Sequence, residues 1–247
     1  MFAVVLVYAG LIASFVGLVS ICKPLTFLGL ATRGYSAWLL AGGVLVALVG
    51  WHLPAKETRV ATVRSHLDEF VPAYQFNELH AIRVNAPKDR VYAAIKGLRG
   101  NEIFLFQTLT WMRRFGRRGP ESILNAPADT PILEVATRTS FLLLVEEPER
   151  EIVIGTVVLL PPGAQPPKTP AEFRKTAQPG FAVAAMNFHL DSAGENATLV
   201  TTETRVYATD QATRRRFAQY WRTIYPGSAF IRRMWLRAVK RRAEAEG

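Results

Sequence analysis

Two long stretches without a single Asp, Glu, Lys or Arg constrain this chain more than any other feature. They run from Met1 to Cys22 and from Gly34 to Ala55. The first charge is Lys23, the second Arg33, the third Lys56, and all 20 acidic residues follow Lys56. A hydrocarbon core is crossed by roughly 20 apolar helical residues. The runs therefore predict a two-helix transmembrane hairpin in residues 1–55, with helices over about 2–22 and 35–53. Trp38 and Trp51 bracket the second helix, as aromatics do at bilayer interfaces, and Pro54 ends it. Gly10, Ser14 and Gly17 form a stripe of small residues on the first helix, as do Gly43, Ala47 and Gly50 on the second. Such stripes let helix backbones approach closely in lipid. The chain opens Met-Phe-Ala-Val-Val, so the first run lacks the basic start of a cleaved signal. Ile21 precedes Cys22 where a lipoprotein would have a small residue, so Cys22 is read as an ordinary thiol.

Residues 56–247 carry the polar chemistry, with 28 Lys and Arg against 20 acidic residues. Hydrophobic residues make up 49% of the whole chain, which excludes a disordered protein. A single Cys excludes a disulfide scaffold and any multi-Cys metal site. Lys56, Arg59 and Arg64 follow the second helix, against Lys23 and Arg33 in the loop. Positive-inside counting then predicts a multi-pass protein of the cell (inner) membrane with its large domain in the cytoplasm.

The polar part divides into a connector at 56–76 and a patterned domain at 77–247. The connector carries a short helix near Val63–Phe70. Glu78–Val84 alternates as a strand. Asn85-Ala-Pro-Lys-Asp-Arg-Val-Tyr-Ala-Ala-Ile then opens a helix, with Pro87 and Asp89 suited to its first turn. A second helix is expected over about 101–115. The period then falls from 3.6 to 2, giving strands at Ile132–Thr139, Ser140–Glu146, Glu151–Leu160, Phe181–Asp191 and Ala197–Thr209. A Pro-rich insertion, Ala164–Pro179, separates two of them. A long helix from about Asp210 to Ala245 closes the chain, with a kink or a break at Tyr225-Pro226-Gly227-Ser228.

This order, strand, two short helices, antiparallel meander and long C-terminal helix, resembles the START-like (SRPBCC) superfamily of polyketide cyclases and lipid-transfer domains. The segment His80-Ala-Ile-Arg-Val-Asn-Ala-Pro-Lys-Asp-Arg-Val-Tyr-Ala-Ala-Ile looks like that superfamily's opening strand-to-helix step. Gly180-Phe-Ala-Val-Ala-Ala-Met-Asn-Phe, Thr202-Glu-Thr-Arg-Val, Tyr220-Trp-Arg-Thr-Ile-Tyr-Pro-Gly-Ser and Ile231-Arg-Arg-Met-Trp-Leu-Arg resemble an uncharacterised bacterial branch. The likeness covers about 67–245. It implies an α+β helix-grip fold: an antiparallel sheet wrapped around the last helix, with an apolar tunnel between them. The superfamily shares a cavity rather than a chemistry, so the resemblance implies no reaction.

The expected cavity wall draws on several elements. Ile231, Met234, Trp235 and Ala238 fall on one stripe of the last helix, while Arg232, Arg233, Arg237, Lys240 and Arg241 point mostly elsewhere. An elongated pocket of roughly 300–1,000 Å³ should lie there, so that Ala238→Gln would block it without unfolding the domain. Glu203 and Arg205 share a strand face with Thr201 and Tyr207. Charged strand residues usually face water, so the pair is read as a surface ladder, leaving Thr202 and Thr204 as wall. Asn187 and His189 are added to the wall, His189 being read as a satisfied structural histidine rather than a proton shuttle. Glu134 and Arg138 are treated alike, as two strand positions of equal parity. The histidines at 52, 66, 80 and 189 show no metal-ligand spacing, and no glycine pattern forms a nucleotide loop, so no metal or cofactor is expected.

Arg113, Arg114, Arg117 and Arg118, with further clusters at 214–216 and 232–242, are assigned to a membrane-facing surface. Anionic headgroups attract each nearby basic residue by about 1 kcal/mol, so a nucleic-acid partner is not expected. The expected function is a membrane-anchored module holding a lipid or other small hydrophobic molecule. The competing readings are a cyclase- or hydrolase-like enzyme using the same cavity, or a scaffold at the membrane surface. An all-apolar wall with isolated hydroxyls favours binding, and a buried carboxylate favours catalysis.

Overall fold

A computed structural model of the chain describes residues 2–114, 116–117 and 121–245. It contains eight α-helices and seven strands among these residues. They group into two units: Met1–Ala55 with Ala218–Tyr225, and Lys56–Phe217 with Pro226–Gly247.

In the first unit, α1 (Phe2–Cys22) and α2 (Arg33–His52) are both long and apolar enough to cross a membrane. They pack through their small residues. A Cβ on Gly10 would lie 2.5 Å from the Ala47 amide nitrogen, and one on Gly43 would lie 2.6 Å from that of Ser14. Only glycine allows the two backbones to approach so closely. Ser36 Oγ donates to Ser20 Oγ at 2.9 Å, and both serines are fully buried. The lipophilic side chains face outward: Phe15 is 66% exposed and Trp38 79%. The short segment Ala218–Tyr225 contributes Arg222, whose guanidinium donates to the carbonyls of Trp51 and Leu53 at the end of α2. Those are carbonyls that a helix terminus leaves without intrahelical partners.

The second unit begins with β1 (Thr58–Arg59), α3 (His66–Phe70) and β2 (Ala73–Tyr74), and β1 pairs with β2. β3 (Phe76–Val84) leads into α4 (Lys88–Gly97), α5 (Phe106–Arg113) and α6 (Ile132–Thr139). β4 (Leu142–Glu147), β5 (Glu151–Leu159), α7 (Pro170–Arg174), β6 (Ala182–Ser192) and β7 (Thr198–Ala208) follow, and α8 (Gln211–Ala245) is last. The five longer strands make one antiparallel sheet in the order β3-β7-β6-β5-β4. The last four strands form a meander, and the first closes against the last.

Alternation gives the sheet two working faces. Val84, Ile152, Ile154, Met186, Phe188, Leu190 and Val200 face one way, into a core completed by α4, α6 and the second half of α8. Phe188 and Trp235 form its aromatic centre, with ring centroids 5.4 Å apart. Val153, Val183 and Ala185 face the other way, into a smaller core under α3 and α7.

Three local expectations are corrected. Ile132–Thr139 is helix, not strand. Ile132, Leu133, Val135 and Ala136 are buried together, an apolar set that suits a helical face as well as a broken alternation. Thr137 and Thr139 return their hydroxyls to the carbonyls of Leu133 and Val135. Glu134 and Arg138 are consequently a helical i,i+4 pair at 3.4 Å. The helix expected over 101–115 is a 3-10 turn at Gly100–Glu102 followed by α5. Finally, α8 runs unbroken through Pro226. The proline removes one backbone bond, at a cost of about 3 kcal/mol.

Candidate functional site: a polar cluster inside the helix–sheet layer

The even-numbered residues of β3 lie on the face that packs against α8, which places Glu78 and His80 inside the layer. Thr204 and Thr202 pair with them across the ladder from β7. Glu78 is only 3% exposed. Its Oε1 lies 2.8 Å from His80 Nε2, and its Oε2 accepts the Ser228 hydroxyl of α8 at 2.8 Å. One helical turn beyond Ser228 comes Arg232, whose guanidinium lies 5.6 Å from the ring centroid of Trp235. Burial lowers the Arg232 pKa, with Glu78 opposing and Arg113 reinforcing the shift. A carboxylate, an imidazole, a hydroxyl and a guanidinium thus share a layer otherwise built of Ile, Met, Phe, Trp and Val.

None of these four belongs to the wall expected from the sequence. The signal was present in the spacing. Phe76 and Val84 are buried, so Glu78 and His80 share their parity. Offsets of 4 and 3 put Ser228, Arg232 and Trp235 on one helical face. Arg232 therefore points inward, contrary to expectation, because its position rather than its charge decides its direction.

The expected wall residues separate. Met234, Trp235 and Ala238 are buried in the main core and Ile231 packs against it. Cavities of about 590, 510 and 270 Å³ lie elsewhere, against the Pro-rich insertion, beside α6 and β5, and between α6 and β4. Thr202 faces the layer, but its hydroxyl donates to the Asn187 carbonyl at 2.7 Å. Asn187 and His189 are odd-numbered neighbours of Phe188, so they lie on the opposite sheet face from Thr202, Thr204 and Trp235. One shared wall is excluded by the two-residue period of the strand.

On that opposite face the surface-ladder expectation for Glu203 and Arg205 is overturned. Arg205 is 7% exposed because α3 covers it. It bonds Asp68 of α3 at 2.6 Å and Glu203 at 2.8 Å, and stacks over Tyr74. Asp68 also accepts the amides of Arg64 and Ser65. Burial pushes its carboxyl up, but these donors outweigh it and its pKa is lowered. Glu151 of β5 is buried too, and accepts the His66 amide at 2.7 Å and Asn187 Nδ2 at 2.6 Å. His189 Nδ1 sits 3.7 Å from Glu151 Oε2, an ion-pair distance. This network caps the N-terminus of α3 and fastens it to the sheet, a structural task.

The basic clusters divide between the two roles. Arg242 donates to Gly97 O and to Glu102, Lys240 to Arg83 O, and Arg241 to Glu102 O, so these charges tie α8 to its neighbours. Arg113 and Arg117 are exposed, Arg114 is half-buried, and Arg118 lies outside the described residues. Beside them Phe104, Leu105, Trp111 and Met112 are exposed as well.

No protein-family profile matches this chain, and none of the curated proteins matches it. Among solved structures it is similar to TTHA0849 from Thermus thermophilus, with 12% identity over 70% of this chain and 99% of that one, at a TM-score of 0.30. It is also similar to norcoclaurine synthase from Thalictrum flavum in complex with dopamine and hydroxybenzaldehyde. There the identity is 8%, over 74% of this chain and 94% of that one, and the TM-score is 0.24. Scores this low assign neither a fold family nor a function.

Proposed function

We propose that this is a membrane-anchored START-like protein of helix-grip type that binds a small, largely apolar molecule between the sheet and α8. The observation that carries the reading is the buried Glu78 carboxylate, bonded to half-buried His80 and Ser228 and facing half-buried Arg232, in a largely apolar layer. Desolvating a carboxylate such as Glu78 costs more than an apolar replacement would, so its place on this face calls for a reason beyond packing. A small-molecule site has this composition: apolar walls and a few convergent polar groups.

The membrane part of the reading rests on α1 and α2. Their outward side chains remain exposed, whereas the core helix of a soluble domain buries them. Arg113, Arg114 and Arg117 are read as a surface for anionic headgroups. The exposed Trp111 and Met112 beside them support this, since aromatics and basic residues together suit the bilayer interface.

A second reading is favoured by one observation. The Ser228–Glu78–His80 chain of hydrogen bonds joins a buried carboxylate to two proton-carrying groups, the arrangement that an acid–base catalyst requires. Native mass spectrometry of the detergent-extracted protein tests the binding function. A co-purifying lipid or other apolar molecule is the expected result. Bare protein throughout, with no uptake of added lipid, would reject the proposal.

A further inference from the structure

Six buried side-chain nitrogens have no hydrogen-bond partner among the described residues: Arg90 Nε, His189 Nδ1, Arg205 Nε, Arg214 Nε, Arg232 Nη1 and Trp235 Nε1. Four of the side chains are engaged through another atom. Arg90 donates to Ala243 O, Arg205 to Asp68 and Glu203, and Arg214 to Glu57, while His189 Nε2 lies 3.3 Å from Asp191. Arg232 and Trp235 have no such second bond. They are three residues apart on the inward stripe of α8, with the guanidinium over the indole. Both orphaned atoms are donors, and no acceptor reaches them. Glu78 attracts Arg232, but its two oxygens are taken by His80 and Ser228 and the two residues form no ion pair. Arg113 adds a second positive charge within range of the guanidinium.

Buried donors without acceptors are rare in folded proteins, and each is costly to maintain. Two of them, three residues apart on one helical stripe and facing a carboxylate whose oxygens are already engaged, form a site that lacks an oxyanion. We infer that the molecule bound in this layer is an amphiphile with an anionic oxygen head, a carboxylate or a phosphate. Its head is held by Arg232 Nη1 and Trp235 Nε1. The inference rests on the binding function proposed above and adds the charge and position of the head group. A guanidinium suits this task because its donors stay charged even when burial lowers the pKa. Charge-assisted bonds of this kind discriminate against a neutral analogue by about tenfold or more.

Diazirine photoprobes of palmitic acid, its methyl ester and the corresponding alkyl monophosphate test the inference on the full chain in a neutral detergent. Labelling of the α8 peptide that contains Arg232 is read by mass spectrometry. The acid or the monophosphate should label the wild type about tenfold more than the ester, and whichever does so identifies the head group. Arg232→Met should abolish that preference, so that the acid or monophosphate labels no better than the ester. Trp235→Phe, which removes one donor and keeps the ring, should weaken it. Arg232→Met removes a half-buried charge that forms no ion pair among the described residues, so its fold should hold, and circular dichroism melting checks this. Equal labelling of the wild type by ester and anionic probes would overturn the inference and leave the binding function standing. So would an Arg232→Met variant that keeps the preference. Absence of labelling by every probe would overturn both.

Discussion

At the scale of single residues, the outer sheet face holds the buried charges that fasten α3. Arg205→Leu leaves Asp68 and Glu203 without their cation in a water-poor site. Loss of one partner of a buried pair costs about 3–5 kcal/mol. A melting temperature lowered by roughly 10 °C in circular dichroism is expected, and an unchanged one would mean that α3 is held by its apolar contacts alone. The Glu151–His189 pair predicts a pH dependence. Burial pushes the Glu151 carboxyl up, but His189, Asn187 and the His66 amide outweigh it, so its folded pKa is lowered. Glu151 therefore stabilises the fold above its unfolded value, and that contribution is lost as pH falls through the folded one. For His189 the Glu151 carboxylate outweighs burial, Asp191 adds to it, and the folded pKa is raised. Its contribution is complete below its unfolded value of about 6.5 and is lost as pH rises through the folded value. Melting curves of wild type and His189→Gln should differ most near pH 5–6.5, by roughly 2–4 °C, and converge at higher pH. A difference that grows toward high pH would reverse the assignment.

At the scale of elements, α8 packs in a way that changes one expectation. Ala238 is buried in the main core with Met234 and Trp235, and no described cavity touches it. Ala238→Gln therefore overfills a packed layer and buries an amide. It should destabilise the domain by about 3 kcal/mol instead of acting as a silent plug. Thermal melting checks this, and a variant as stable as wild type would point to space beside Ala238. In α6, four apolar residues in a run of five satisfied an alternating pattern nearly as well as a helical one, and tertiary packing decided between them. The segment around α5 shows the reverse. Its exposed Trp111 and Met112 sit on a helix whose buried side is only Phe106 and Thr110.

For the whole molecule, the anchoring proposal makes a direct prediction. Washing membranes with alkaline carbonate should leave the protein in the pellet, because α1 and α2 expose apolar rather than charged surface. Release into the supernatant would remove the anchor. A periplasm-dependent reporter fused at the C-terminus should stay silent if the domain is cytoplasmic. Strong activity would invert the orientation drawn from the positive-inside count.

Charge distribution alone determined the apolar helices: 22 residues without charge, twice, admit few structures in water. Alternation and turn residues likewise located β3 and the four meander strands within a few residues, because a half-buried strand writes its period into the sequence. The match of small residues across α1 and α2 was also legible, since a close helix crossing needs glycine at spaced positions. What the sequence could not decide was which face of each strand meets which element. Glu203 and Arg205 look like surface charges until α3 covers them, and Asn187 and Thr202 look like neighbours until the ladder puts them on opposite sides. The Glu78–His80–Ser228–Arg232 cluster joins residues 150 positions apart in the chain. Local sequence fixes period and propensity, but burial depends on what arrives from elsewhere. The site exists only where β3 and the inward stripe of α8 share one layer.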